Sequence, residues 1–358
     1  MKKSFHSLLF LLIFILLSKN IGSNQFITSR TKAIQNSAKG IWEGTKKVIL
    51  KEELSIGVSE SDESLMFYEP MDVEVDSEGN IYVLDKGNFR IQKFDKNGKF
   101  LLSFGGKGQG PGELLNCFDI ELDSKGNVLV FDLDNSRISK FDSKGQFLAT
   151  LKLEYQAMHG AIDSEDNIYV YERHNGKLIH KYDPNGRYLF SFMDEIKFEP
   201  KRIEPHINSI GNIEVWKDRV LLAMIYPYTI YIFTKNGELL EKIVTDVPYS
   251  QPPFLSPEGI VITNFIITGL AVSADGYIFN KAIYFKVPFN WKEKIKDIME
   301  NLYKNSFVDI FNPNGIYLLH QKIPDTVGGL SFDSKGGLYM IKQEEDYWKV
   351  VKYSVSFE

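Results

Sequence analysis

A five-fold recurrence constrains this chain more than any other feature. An aromatic residue, a polar residue, two further positions and a glycine recur as Phe94–Gly98, Phe141–Gly145, Tyr182–Gly186, Phe233–Gly237 and Phe311–Gly315. In four of these, asparagine precedes the glycine, and Asn-Gly between apolar runs signals a hairpin because both residues accept positive φ. A second turn recurs upstream, as Asp76-Ser77-Glu78-Gly79-Asn80, Asp123-Ser124-Lys125-Gly126-Asn127 and Asp163-Ser164-Glu165-Asp166-Asn167. Looser forms stand at Ser273–Gly276 and Asp333–Gly337.

Two turns per repeat imply four strands per repeat. In the first repeat the strands are expected at about Met71–Val75, Ile81–Leu84, Arg90–Phe94 and Phe100–Phe104. The second of these is apolar on both faces, as a strand sandwiched between neighbouring sheets must be. Four-stranded units of roughly 40–50 residues are the blades of a propeller. The repeats therefore predict an all-β, six-bladed β-propeller with four-stranded antiparallel blades, forming a single domain over 46–358. The sixth repeat holds three clear strands, and Lys46–Lys51 is expected to add the fourth and close the ring. Within the long fifth repeat, 290–304 carries Trp291, Ile295, Ile298, Met299, Leu302 and Tyr303 at helical spacing, with Asn290 and Glu293 placed as a capping box. That predicts an amphipathic helix inserted in blade five.

The segments Pro70-Met71-Asp72-Val73-Glu74-Val75-Asp76, Asn80-Ile81-Tyr82-Val83-Leu84-Asp85 and Asn88-Phe89-Arg90-Ile91, with the linker Phe104–Glu113, resemble the NHL-repeat family. They are similar in particular to exported bacterial six-bladed propellers of largely unassigned role. The resemblance implies the propeller fold and assigns no activity.

Residues 1–23 read as a signal peptide: Lys2 and Lys3 precede an apolar run from Leu8 to Leu17. Ten apolar residues as a helix rise roughly 15 Å, about half a bilayer's hydrocarbon thickness, so no stable membrane span is expected. The protein is expected to be extracytoplasmic, periplasmic or secreted, with 24–45 as an N-terminal extension before the propeller. The whole chain carries a net charge of −5, and the leader contains three lysines and no acids, so its removal deepens the deficit. An acidic surface repels phosphate backbones, which argues against nucleic acid. Cys117, the single cysteine, cannot form an intramolecular disulfide and is expected to be a buried thiol.

Asp72, Asp119 and His159 occupy one repeat position, where the innermost strand of three successive blades begins. Innermost strands converge on the propeller axis, so these residues are the candidate ligand-binding site, at one channel mouth. Two carboxylates and an imidazole suit calcium or another divalent cation, or water held for a polar ligand. The same groups would equally serve neighbouring backbone or buried water. His159, His206 and His320 invite comparison with the zinc histidines of amidating lyases, which share NHL repeats, but His320 falls in an outer strand. The glycines of Gly106–Gly112 lead into a strand rather than a helix, so they lack a phosphate loop's converging amides. Asp85 and Asp132, each ahead of an Asn-x-Arg-Ile segment, are expected to satisfy loop amides while the arginines brace adjacent structure.

No Gly-x-Ser-x-Gly elbow or His-Glu-x-x-His helix occurs. The sequence therefore favours a binding or scaffolding propeller that recognises a protein, peptide or glycan on one face. The alternative is a metal-dependent hydrolase or lyase at the axial mouth.

Overall fold

Each predicted turn is locked by its own side chain. Asp76 Oδ1 accepts the amides of Glu78 and Asn80 at 3.0 and 2.8 Å, and Asp123 and Asp163 do the same for their turns. The second turn of a repeat copies this device: Asp95 Oδ1 accepts the amides of Asn97 and Lys99, both at 2.9 Å. Gly98 then supplies the positive φ of 81° that returns the chain. These local bonds fix hairpin register before any blade packs on another.

The computed structural model describes residues 31–57, 65–153, 156–199, 201–255, 261–263, 265–284, 305–324, 326–345 and 347–358. Blade one consists of Pro70–Val75, Ile81–Asp85, Arg90–Phe94 and Phe100–Gly105, paired antiparallel from the axis outward. The six innermost strands are Pro70–Val75, Cys117–Leu122, His159–Ile162, Gly211–Trp216, Phe265–Val272 and Thr326–Phe332. Each contacts the next, and the sixth contacts the first, so the ring is closed. The core lies between blades: Tyr82, Leu84 and Ile91 of blade one pack with Ile120, Val128 and Phe141 of blade two. This explains why second strands such as Ile81–Asp85 are buried at every position.

The N-terminal strand closes the last blade. Val48–Ile56 pairs antiparallel with Trp348–Phe357, with Val48 opposite Phe357. The described part of the N-terminal extension before it is tied to the propeller rim. Lys32–Asn36 adds a fifth, parallel strand to the rim of blade four, with Ile34 opposite Ile243. Asn36 then bonds Gly315 O and the Tyr317 amide, and the Ile41 and Trp42 amides bond Tyr317 O and Leu318 O of blade five. The stretch 31–56 is thus a belt over the rims of blades four, five and six. Its physical basis is that outer strands present unpaired amides and carbonyls, which a passing chain can satisfy.

Among the described residues the only α-helix is the short Glu204–Ile207. The helix expected at 290–304 and the leader at 1–23 lie outside the described residues. No helix among the described residues is long and apolar enough to cross a membrane.

Candidate functional site

The innermost strands bring Asp72, Asp119 and His159 to one end of the axis, where they line a cavity of about 140 Å3. Their carboxylates also stitch the blades together. Asp72 Oδ2 accepts the Ile120 amide of blade two at 2.9 Å, and Asp119 Oδ2 accepts the Gly160 amide of blade three at 2.7 Å. Blade four repeats the stitch with opposite polarity, Asn212 Nδ2 donating to Ile267 O at 3.2 Å. Lys281 Nζ joins blade five to six through Val327 O at 2.9 Å and Gly328 O at 2.8 Å. Ser331 Oγ reaches Glu74 Oε2 at 3.3 Å and so joins blade six to one. His159 Nδ1 stands 3.9 Å from Asp119 Oδ2, too far for a hydrogen bond.

Three further carboxyls belong to this axis and escaped the sequence reading. Asp72-Val73-Glu74, Asp119-Ile120-Glu121 and Asn212-Ile213-Glu214 form a repeated triplet. Side chains two apart on a strand share a face, so Glu74, Glu121 and Glu214 follow the first position into the channel. The signal was in the sequence, as a two-residue step at one repeat phase.

Crowding acids on a narrow axis raises their affinity for protons. Burial lifts Glu214 to about 8, with the charge of Asp72 adding to it. Burial followed by repulsion from Asp72 and Glu214 pushes Glu74 well up, and burial with the neighbouring carboxylates does the same to Glu121. Asp72 and Asp119 stand as neighbouring carboxyls; burial and the charge of Asp72 hold Asp119 well above the usual carboxylate range. Asp72 rises to about 6, chiefly through burial, with the bonds from Asp119 and Ile120 opposing. Burial lowers His159 to about 4 and Lys281 to about 7, so the imidazole is neutral at physiological pH. The channel stores protons rather than displaying five full charges.

Met71, Phe118, Met158, Ile210 and Ile267 form an apolar collar around this acidic interior. Among the described residues, no three His, Cys, Asp or Glu side chains converge as ligands for a metal ion. His320 lies in Tyr317–Lys322, the outermost strand of blade five, and so stands apart from His159. His206 falls on Glu204–Ile207, and its side chain lies outside the described residues. Cys117 is buried, and its thiol is pushed well up by burial and by Asp132. Asp85 is fully buried and accepts bonds from the Tyr68 amide, Asn88, Arg90 and Gln92. Asp132 accepts the Leu115 and Asn116 amides, while Arg137 binds Gln109 O, Gly110 O and Glu113 O of the glycine-rich linker. Both pairs serve the structure, as their repetition implied.

Ring closure, four-stranded blades and an axial funnel make this chain a six-bladed β-propeller. Residues 60–195 match the family described as 6-bladed beta-propeller. No curated protein sequence matches the chain. Among solved structures, a protein of Bacteroides fragilis described as exported aligns with TM-score 0.60 and 14% identity, covering 91% of this chain and 100% of that one. A member of a family of unknown function from Bacteroides vulgatus aligns with TM-score 0.58 and 13% identity, over 87% and 99% of the two chains. Virginiamycin B lyase from Staphylococcus aureus aligns with TM-score 0.51 and 13% identity, over 86% and 99%. At such identities the likeness is one of fold, and fold alone does not confer function.

Proposed function

We propose that this chain is an exported binding propeller whose axial mouth takes a cationic side chain, flanked by apolar residues, from a peptide or protein partner. One observation carries the reading: Asp72 and Asp119 line the mouth together with Met71, Phe118, Met158, Ile210 and Ile267, and they form one interacting group of buried carboxyls with Glu74, Glu121 and Glu214. A lysine or arginine entering this funnel supplies the charge that the protons now supply, and the collar removes apolar surface of the flanking residues from water. Binding therefore releases protons, and affinity rises with pH. The expected leader and the likeness to a protein described as exported support an extracytoplasmic setting.

A metal-dependent hydrolase or lyase at the same mouth draws less support. Asp72 and Asp119 each already accept a backbone amide, and no three ligating side chains converge among the described residues.

The test is calorimetric titration of the purified protein with a hexapeptide holding one lysine among leucines, and with its norleucine counterpart. Affinity for the lysine peptide should climb by about tenfold per pH unit for each proton released. Glu74→Gln combined with Glu121→Gln should flatten that dependence. Equal binding of the norleucine peptide, or an affinity indifferent to pH, would overturn the proposal.

A further inference from the structure

Blade five holds a second constellation, away from the axis. Its strands Phe265–Val272, Ile278–Tyr284, Ser306–Phe311 and Tyr317–Lys322 run from axis to rim. Asn280, Asp309 and His320 stand opposite one another across the last three. Asp309 is fully buried, and its carboxylate accepts four bonds. Tyr228 and Tyr249 hydroxyls donate to Oδ2 at 2.6 Å each; the Tyr317 hydroxyl and His320 Nδ1 meet Oδ1 at 2.7 and 2.9 Å. Burial first, and Asp309 second, push all three phenols up, so they stay protonated and donate.

That crowd of donors decides the histidine's tautomer. A carboxylate only accepts, so Nδ1 of His320 carries the proton, and in the tautomer so fixed Nε2 is the acceptor edge. Phe307 and Tyr249 clamp the ring, with centroids 4.3 and 4.8 Å from it. The Nδ1 edge faces the buried aspartate, so Nε2 is the edge turned to the adjoining cleft, where it bonds no described residue. The cleft measures about 440 Å3, within the usual range for small-molecule sites. Tyr249, Tyr284, Phe307 and Pro248 give it flat apolar walls. Lys322 is the only lysine, arginine, aspartate or glutamate among its described lining residues. His320 and Lys322 are two residues apart on one strand, so both face the same side, with Cα atoms roughly 7 Å apart.

We propose that this cleft binds a small planar acid, an aromatic ring carrying a carboxylate and, across the ring from it, a hydroxyl. The ring packs on the aromatic walls, the carboxylate pairs with Lys322, and the hydroxyl donates to His320 Nε2. A para-substituted benzene ring sets its two polar groups at opposite ends, and the flexible four-carbon stem of Lys322 adjusts to reach the carboxylate. Asp309 is a positioning residue here: it fixes the face and tautomer of His320 and does not reach the ligand.

The probe is 4-hydroxybenzoate, titrated into the full chain by calorimetry, with the ring nitrogens of His320 followed by 15N NMR. Saturable binding with a shift at His320 Nε2 is expected. Benzoate, lacking the hydroxyl, and phenol, lacking the carboxylate, should each bind at least about tenfold more weakly. His320→Phe keeps an aromatic ring and removes the acceptor; Lys322→Met, on an exposed side chain, removes the charge while leaving the Asp309 cluster intact. Each should weaken 4-hydroxybenzoate about tenfold, and Lys322→Met should leave the unfolding midpoint unchanged. Absence of saturable binding, or binding that Lys322→Met and loss of the hydroxyl both leave unaltered, overturns the assignment. The axial reading is unaffected by either result, since no residue is shared.

Discussion

Glu214 offers a direct test of the proton-loaded axis. Its ordinary value is 4.5, and burial in the channel raises it to about 8. A carboxyl raised on folding binds more protons in the folded chain than in the unfolded one. Its contribution to stability is therefore intact at low pH and is lost as pH rises through the window from 4.5 to about 8. Between pH 6.5 and pH 8 the climb of 1.5 units removes about 2 kcal/mol at one charge, using about 1.4 kcal/mol per unit, and water in the channel makes this an upper figure. Glu214→Gln removes the titration while keeping the shape. Relative to the wild type, the variant should gain up to about 2 kcal/mol between pH 6.5 and pH 8.

The comparison cancels titrations that do not touch Glu214, while Glu74 and Glu121, which its charge raises, shift the difference in the same direction. Lys281, lowered to about 7, regains stability as pH rises above that value, but it does so in both proteins. His159, lowered to about 4 from 6.5, has completed most of its change below pH 6.5, the lower of the two pH values compared. Carboxylates held low at the turns, such as Asp95 and Asp183, lose their contribution only in acid. The assay is urea unfolding at both pH values, with equal slopes required before midpoints are compared. A wild-type-to-variant gap that is the same at pH 6.5 and pH 8, or that moves in favour of the wild type, refutes a raised Glu214 and with it the proton-exchange argument.

Other positions yield simpler expectations. Asn36→Ala strands Gly315 O and the Tyr317 amide under the rim belt and should cost about 1–3 kcal/mol, with faster hydrogen exchange at Tyr317. Asp85→Ala leaves Arg90 and the Tyr68 amide without their buried partner; a loss of about 3–5 kcal/mol in urea unfolding is expected, and a loss under 1 kcal/mol would refute a structural role. Gly160→Ala sets a Cβ against the Phe131 ring at the junction of blades two and three and should cost about 1–3 kcal/mol through overpacking. Cys117, buried and with its thiol pushed up, should react with a thiol reagent only after unfolding; stoichiometric labelling of the native protein would contradict its placement.

What the sequence disclosed follows the range of each interaction. The turns were legible because Asp76 and Asp95 bond amides two and four residues ahead, well inside a readable pattern. The axial stitches were half legible: Asp72 to Ile120 spans 48 residues and Asp119 to Gly160 spans 41, about one repeat, so repeat phase located them. What phase could not show was that the same carboxylates serve the neighbouring blade's backbone, or that Lys281 enters from a second strand. The belt at 31–45 was hidden because a strand paired on one edge at the rim needs few apolar residues, and Ile34 is its principal buried one.

The Asp309 cluster marks the limit of that logic. Tyr228 and Tyr249 reach Asp309 from 81 and 60 residues away, which matches no repeat step, and they come from blade four and the connection after it. Asp309 and His320 meet because they are opposite in register, and the hairpin bulge between Ile310 and Phe311 sets that register. A repeat scaffold makes its shared features visible through periodicity and conceals whatever one blade has of its own. In this chain such aperiodic residues gather on blade five from its own strands, blade four and the connection between them, and there a buried aspartate orients a single histidine toward a cleft. Away from the axis, where all blades converge on one shared mouth, function in a propeller is to be sought where the repeat is broken, because a peripheral site for one ligand has no use for six copies.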